Sequence, residues 1–128
     1  MKFQQLTHVA LHVIDVEASR RFYRDVLQLE EIPRPAFDFP GAWLRLGIDQ
    51  ELHLIGGRTE AVHSNYRGNH FALLVDDFAA WEQHLADKKI PLRVKKIRPD
   101  GALQMFVADP DGHLVELCTP PGFTSPNP

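Results

Sequence analysis

At 128 residues, 44% apolar and 24% charged, the chain has the size and make-up of a single globular domain able to bury a core. A net charge of −3 with only short, scattered basic doublets, Lys88-Lys89 and Lys95-Lys96 among them, excludes the basic stripe of a nucleic-acid-binding surface. No apolar run approaches membrane-span length, His8 and His12 interrupt the N-terminal segment where a signal peptide would be apolar, and Cys118 has no second cysteine to pair with. The expectation is a cytoplasmic protein with no membrane partner.

In chain order, "THVALHV" reads as an apolar strand and Asp15 as the N-cap of a helix. Val16, Phe22, Val26 and Leu27 give that helix an apolar stripe. Strand signals follow in "LEEI", "AWLRLG" and "ELHLI", separated by the turn signals "FPG" and "GID". A linker over 58–67 leads to "NHFALLV", again an apolar strand, then to Asp77 and a helix carrying Phe78, Trp81 and Leu85. "PLRVKKI", "LQMFVA" and "HLVEL" read as three more strands, and the prolines of 120–128 make the tail unsuited to a sheet.

This order is an internal repeat. "THVALHVIDVEASRRFYRDV" from Thr7 aligns without a gap with "NHFALLVDDFAAWEQHLADK" from Asn69. The fold expected is α+β, one domain made of two βαβββ units, at about 5–57 and 68–119. The repeat also pairs chemistry. His8 and His70 lie on the first strands (70 − 8 = 62), and His53 and Glu116 on the last (116 − 53 = 63). A histidine inside "ELHLI" is read either as a satisfied core residue or as a metal ligand. The matched fourfold set favours the ligand reading. A buried Glu116 needs a compensating charge, which a divalent ion supplies. Three imidazoles and one carboxylate suit Zn, Ni, Co, Mn or Fe(II), one ion per site.

The quoted segments, with "FPGAWLRLG", "ELHLIGG" and "QMFVADPDGHLVEL", resemble the vicinal oxygen chelate superfamily, which includes glyoxalase I, fosfomycin-resistance proteins and extradiol dioxygenases. The resemblance spans residues 5–119. It implies a cup-shaped mixed sheet around a divalent metal, with the four metal positions on His8, His53, His70 and Glu116. It implies also a homodimer whose sites are shared between chains. The likeness to glyoxalase I is not strict: bacterial members carry glutamate where His53 stands, and the places of two glutathione contacts hold His12 and Gly57.

The function expected is a metal-dependent enzyme of lyase or isomerase type, acting on a small oxygen-rich molecule that the metal binds as a Lewis acid. Glu116 is a candidate base. His12, on the face of His8, is read either as a second base or as a packed histidine. Arg45, beside Trp43, either holds an anionic substrate or faces solvent. Gln104 and Phe106 line the pocket or belong to the core, and Tyr66 closes over the site or lies at the surface. Two alternatives stay open: a metal-free sequestering protein of the bleomycin-resistance type, and an Fe(II) dioxygenase.

Overall fold

The structure is a computed structural model in which residues 1–124 are described; the end of the Pro-rich tail, 125–128, lies outside the described residues. The chain divides into two compact units, Met1–Ala61 and a second beginning at Val62. In the first unit, β1 (His8–His12) leads to α1 (Val16–Arg21), then β2 (Glu31–Ile32), β3 (Gly41–Leu46) and β4 (Gln50–Ile55). The second repeats the order with β5 (Phe71–Leu74), α2 (Phe78–Asp87), β6 (Val94–Ile97), β7 (Leu103–Ala108) and β8 (Leu114–Cys118). Each unit holds one four-stranded mixed sheet, ordered β1-β4-β3-β2 and β5-β8-β7-β6. In both, the first strand runs parallel to the last and the remaining pairs are antiparallel.

The caps form as the sequence predicts. Asp15 Oδ1 accepts from the Ala18 amide at 3.1 Å and Asp77 Oδ1 from the Ala80 amide at 3.0 Å, each satisfying a helix-end donor that would otherwise lack a partner. Two boundaries differ from the sequence reading. The apolar stripe from Val16 to Leu27 is not one α-helix: it passes into a π-helical turn over Phe22–Val26, which lets Phe22, Tyr23 and Leu27 all turn inward. The strand expected at "LEEI" shrinks to Glu31–Ile32, because the Leu29 amide is taken by the Tyr23 carbonyl.

Strand alternation sorts the two faces of each sheet. Ala42, Leu44, Leu46, Leu52 and Leu54 are buried on the face that packs against α1, while Trp43, Arg45, Glu51 and His53 stand half-buried on the other. In the second unit Met105, Val107, Val115 and Leu117 form the buried apolar row. The opposite face of β7 and β8 is also buried, and it carries Gln104, Phe106 and Glu116.

Candidate metal centre

Sheet register places the repeated residues at equivalent points. In the first unit Ala10 of β1 and Trp43 of β3 flank His53. In the second, Ala72 of β5 and Phe106 of β7 flank Glu116. Each unit thereby brings together the two ligand candidates it carries.

The pair in the first unit is His8 and His53. Their rings stack at 4.2 Å with 16° between planes, and Trp43 lies on the other face of His53 at 3.9 Å and 2°. His53 Nε2 is 3.0 Å from Glu51 Oε1; a carboxylate only accepts, so this nitrogen carries the hydrogen and Nδ1 of the neutral ring keeps its lone pair. Glu51 is thus a residue that the sequence reading missed. Its signal was the two-residue spacing from His53, which puts both on one face of β4. His8 Nδ1 contacts Thr7 Oγ1 at 2.8 Å.

The pair in the second unit is His70 and Glu116. His70 stands immediately before β5 rather than on it. Its Nδ1 faces two carbonyl oxygens, Asn65 O at 3.2 Å and Gly68 O at 3.1 Å. Carbonyls only accept, so Nδ1 carries a hydrogen; Nε2 faces Glu116 Oε2, 4.0 Å away, and in the neutral ring it is the nitrogen with the free lone pair. Glu116 is 4% exposed and accepts from Gln104 Nε2. Gln104 Oε1 is itself buried and has no hydrogen-bond partner among the described residues. A buried carboxylate served by the Gln104 amide, an orphan amide oxygen and, in the neutral ring, an imidazole lone pair therefore gather in one place. Buried acceptors of this kind call for a cation or a water. The donor set would suit a divalent ion: His70 and Glu116 are the residues that would hold it, with the Asn65 and Gly68 carbonyls orienting the His70 ring behind them. Within either unit, the described residues contain no group of three His, Cys, Asp or Glu that could hold a metal alone.

The remaining candidates fall as follows. His12 Nε2 contacts the Gly56 carbonyl at 3.1 Å from an exposed position. Arg45 is 38% exposed at its side chain and approaches Glu30 at 3.8 Å. Phe106 is fully buried, with the His70 ring edge-on at 5.2 Å and Tyr66 at 6.2 Å. Lys96 and Arg67 both stand over the Tyr66 ring, at 5.1 and 5.4 Å. Burial, and secondarily the nearby Glu116 carboxylate, push the Cys118 thiol above its ordinary range.

The chain matches the Glyoxalase/Bleomycin resistance protein/Dioxygenase superfamily over residues 5–117. It is 31% identical over 123 residues to metallothiol transferase FosB of Staphylococcus saprophyticus, covering 91% of this chain and 77% of that protein. It is 30% identical over 122 residues to Glyoxylase I 4 of Arabidopsis thaliana, covering 88% of this chain and 69% of the relative. The structure of a protein assigned to the glyoxalase family in Bacillus anthracis superposes with a TM-score of 0.80 at 27% identity, over 93% of this chain and 97% of that one.

Proposed function

The chain belongs to the Glyoxalase/Bleomycin resistance protein/Dioxygenase superfamily, and from that premise we propose that it is a divalent-metal-dependent enzyme acting on a small, oxygen-rich molecule by lyase or isomerase chemistry. His8, His53, His70 and Glu116 are the proposed ligands, one pair from each repeat, with the protein working as a homodimer. The observation that carries this reading is the acceptor-rich cluster of His70, Glu116 and Gln104, in which the Gln104 amide N–H serves Glu116 while the buried Gln104 oxygen has no partner among the described residues.

A bound divalent ion supplies Lewis acidity toward substrate oxygens. The protein's own groups do the rest. Glu116 is the proposed proton acceptor, oriented by the Gln104 amide. His12, with Nε2 on the Gly56 carbonyl, is the second candidate base. Phe106 excludes water beside His70, and the Trp43 plane holds His53. Lys96 and Arg67, gathered on Tyr66, put positive charge near the Phe106–His70 pair and suit an anionic substrate.

A second reading, transfer of a thiol, is favoured by the likeness to FosB. The test is an NMR screen of protein loaded in turn with Ni, Zn, Co, Mn and Fe(II). One arm follows isomerisation of a methylglyoxal hemithioacetal; another offers a small epoxide and a thiol. Turnover that needs metal and disappears in His70→Ala supports the enzyme reading, and the active arm selects the chemistry. Tight small-molecule binding without metal or turnover gives the sequestering reading, and oxygen uptake with a catechol and Fe(II) gives the dioxygenase reading.

A further inference from the structure

The loop between β2 and β3 carries a feature that the metal ligands do not use. Phe37 and Phe39 are 45% and 39% exposed, a large apolar area for a short loop. Their rings stack on one another at 5.1 Å, and Phe37 stands 6.1 Å from Trp43. Trp43 lies flat on His53, so the rings run without a break from the exposed loop to the His8–His53 pair.

A guanidinium belongs to the same cluster. Arg34 sits over both phenyl rings, 4.9 Å from Phe37 and 5.0 Å from Phe39, and its Nη2 donates to the Phe39 carbonyl at 2.8 Å. It forms no ion pair with any carboxylate among the described residues, unlike Arg20, Arg24, Arg45 and Arg98. The space it fills is kept by Gly41: a Cβ there would clash with the Leu54 carbonyl and meet Arg34 Nε and Nη2 at 3.0 Å. The arginine is therefore held by two phenyl rings, one carbonyl and a glycine, with no carboxylate within ion-pair distance among the described residues.

We propose that Arg34, Phe37 and Phe39 form a subsite for a small planar aromatic anion, the ring lying on the phenyl pair and the carboxylate or phosphonate meeting Arg34. A guanidinium already oriented on ring faces gives an oxyanion two parallel N–H donors at little entropic cost. The exposed phenyl pair offers an aryl group an offset-stacked or edge-on partner. As the recognition element for the far end of a substrate, the subsite rests on the metal-enzyme reading; as a ring-and-anion site, it does not need the metal.

The test uses the full chain in the presence of EDTA, titrated calorimetrically with phenylphosphonate and with methylphosphonate. The Trp43 indole N–H resonance, assigned in a Trp81→Phe background, reports the place of binding. Phenylphosphonate is expected to bind about tenfold more tightly than methylphosphonate and to shift the Trp43 resonance. Arg34→Gln weakens phenylphosphonate by about tenfold, and Phe37→Leu with Phe39→Leu brings the two ligands to equal affinity. Equal affinities for the unaltered protein, or binding that none of these changes moves, overturn the proposal. So does a dimer that dissociates on replacing the two phenylalanines and shows no phenylphosphonate binding, because the patch is then a subunit contact. Because metal is absent throughout, failure here leaves the metal reading standing, and failure of metal loading leaves the subsite standing.

Discussion

Replacing Glu116 with glutamine separates what the carboxylate does for the fold from what it does for a metal. Glu116 is 4% exposed, and among the described residues its hydrogen bond comes from Gln104 Nε2. Glutamine has the same shape and its amide oxygen accepts the same bond. The bond loses its charge assistance, about 1 kcal/mol. Against that, a carboxylate no longer has to be desolvated, a relief of similar or larger size. The metal-free protein should therefore change by no more than about 1 kcal/mol, or about 4 °C in thermal midpoint for a chain of this length. Metal is a different matter. At a hundredfold excess over its dissociation constant, a ligand of the folded state adds about 2.7 kcal/mol, close to 10 °C here. A neutral amide is a far poorer ligand, so Glu116→Gln should lose nearly all of that shift. Scanning calorimetry of both proteins, with EDTA and with each divalent ion, reads both quantities. A full metal shift retained in Glu116→Gln would refute the ligand assignment. A fall of more than about 3 kcal/mol without metal would show that the charge itself belongs to the metal-free fold.

Other consequences are simpler to check. Asp15→Ala and Asp77→Ala should each cost about 1 kcal/mol by urea unfolding, since each removes a side-chain cap; an unchanged midpoint would mean that water replaces the cap fully. Leu52→Ala, at a fully buried site on β4, should cost about 2–5 kcal/mol, whereas Ile48→Ala, 92% exposed, should stay within about 0.5 kcal/mol. The hydrogen bonds from Arg98 hold the Asp100 carboxyl below its ordinary range. A depressed folded value means that any stability it adds is present above about pH 4 and is lost as the pH falls through the folded value. An NMR titration should find Asp100 restored to the ordinary range in Arg98→Gln; an unmoved midpoint would assign the shift elsewhere.

The repeat explains why the matched placement of the candidate residues was legible in the sequence. The offsets that pair His8 with His70 and His53 with Glu116 reappear as sheet register: Trp43 beside His53 matches Phe106 beside Glu116 (106 − 43 = 63). The caps at Asp15 and Asp77 were visible for the same reason. What was not legible depended on contacts far apart in sequence, or on backbone that ignores residue preference. Nothing in "RRFYRDV" announces the π-helical turn. Gln28 and Lys89 both take φ of +59°, at matching places after the two helices, although neither is the glycine or asparagine that such an end usually uses. The Gln104–Glu116 bond needed the β7–β8 register, in which Gln104 lies opposite Cys118, one diagonal step from Glu116. Of "RPAFDFPG" only the closing "FPG" was legible, as a turn signal, because a cluster of one guanidinium and two phenyl rings leaves no periodic trace.

The central claim is that the two pairs serve one ion. Equilibrium dialysis followed by elemental analysis tests it most directly, by counting metal per chain in the unaltered protein, in His8→Ala with His53→Ala, and in His70→Ala with Glu116→Gln. The prediction is one divalent ion per chain, lost from both double variants alike. Retention of a full equivalent by either variant would contradict it, because one pair would then hold the metal without the other.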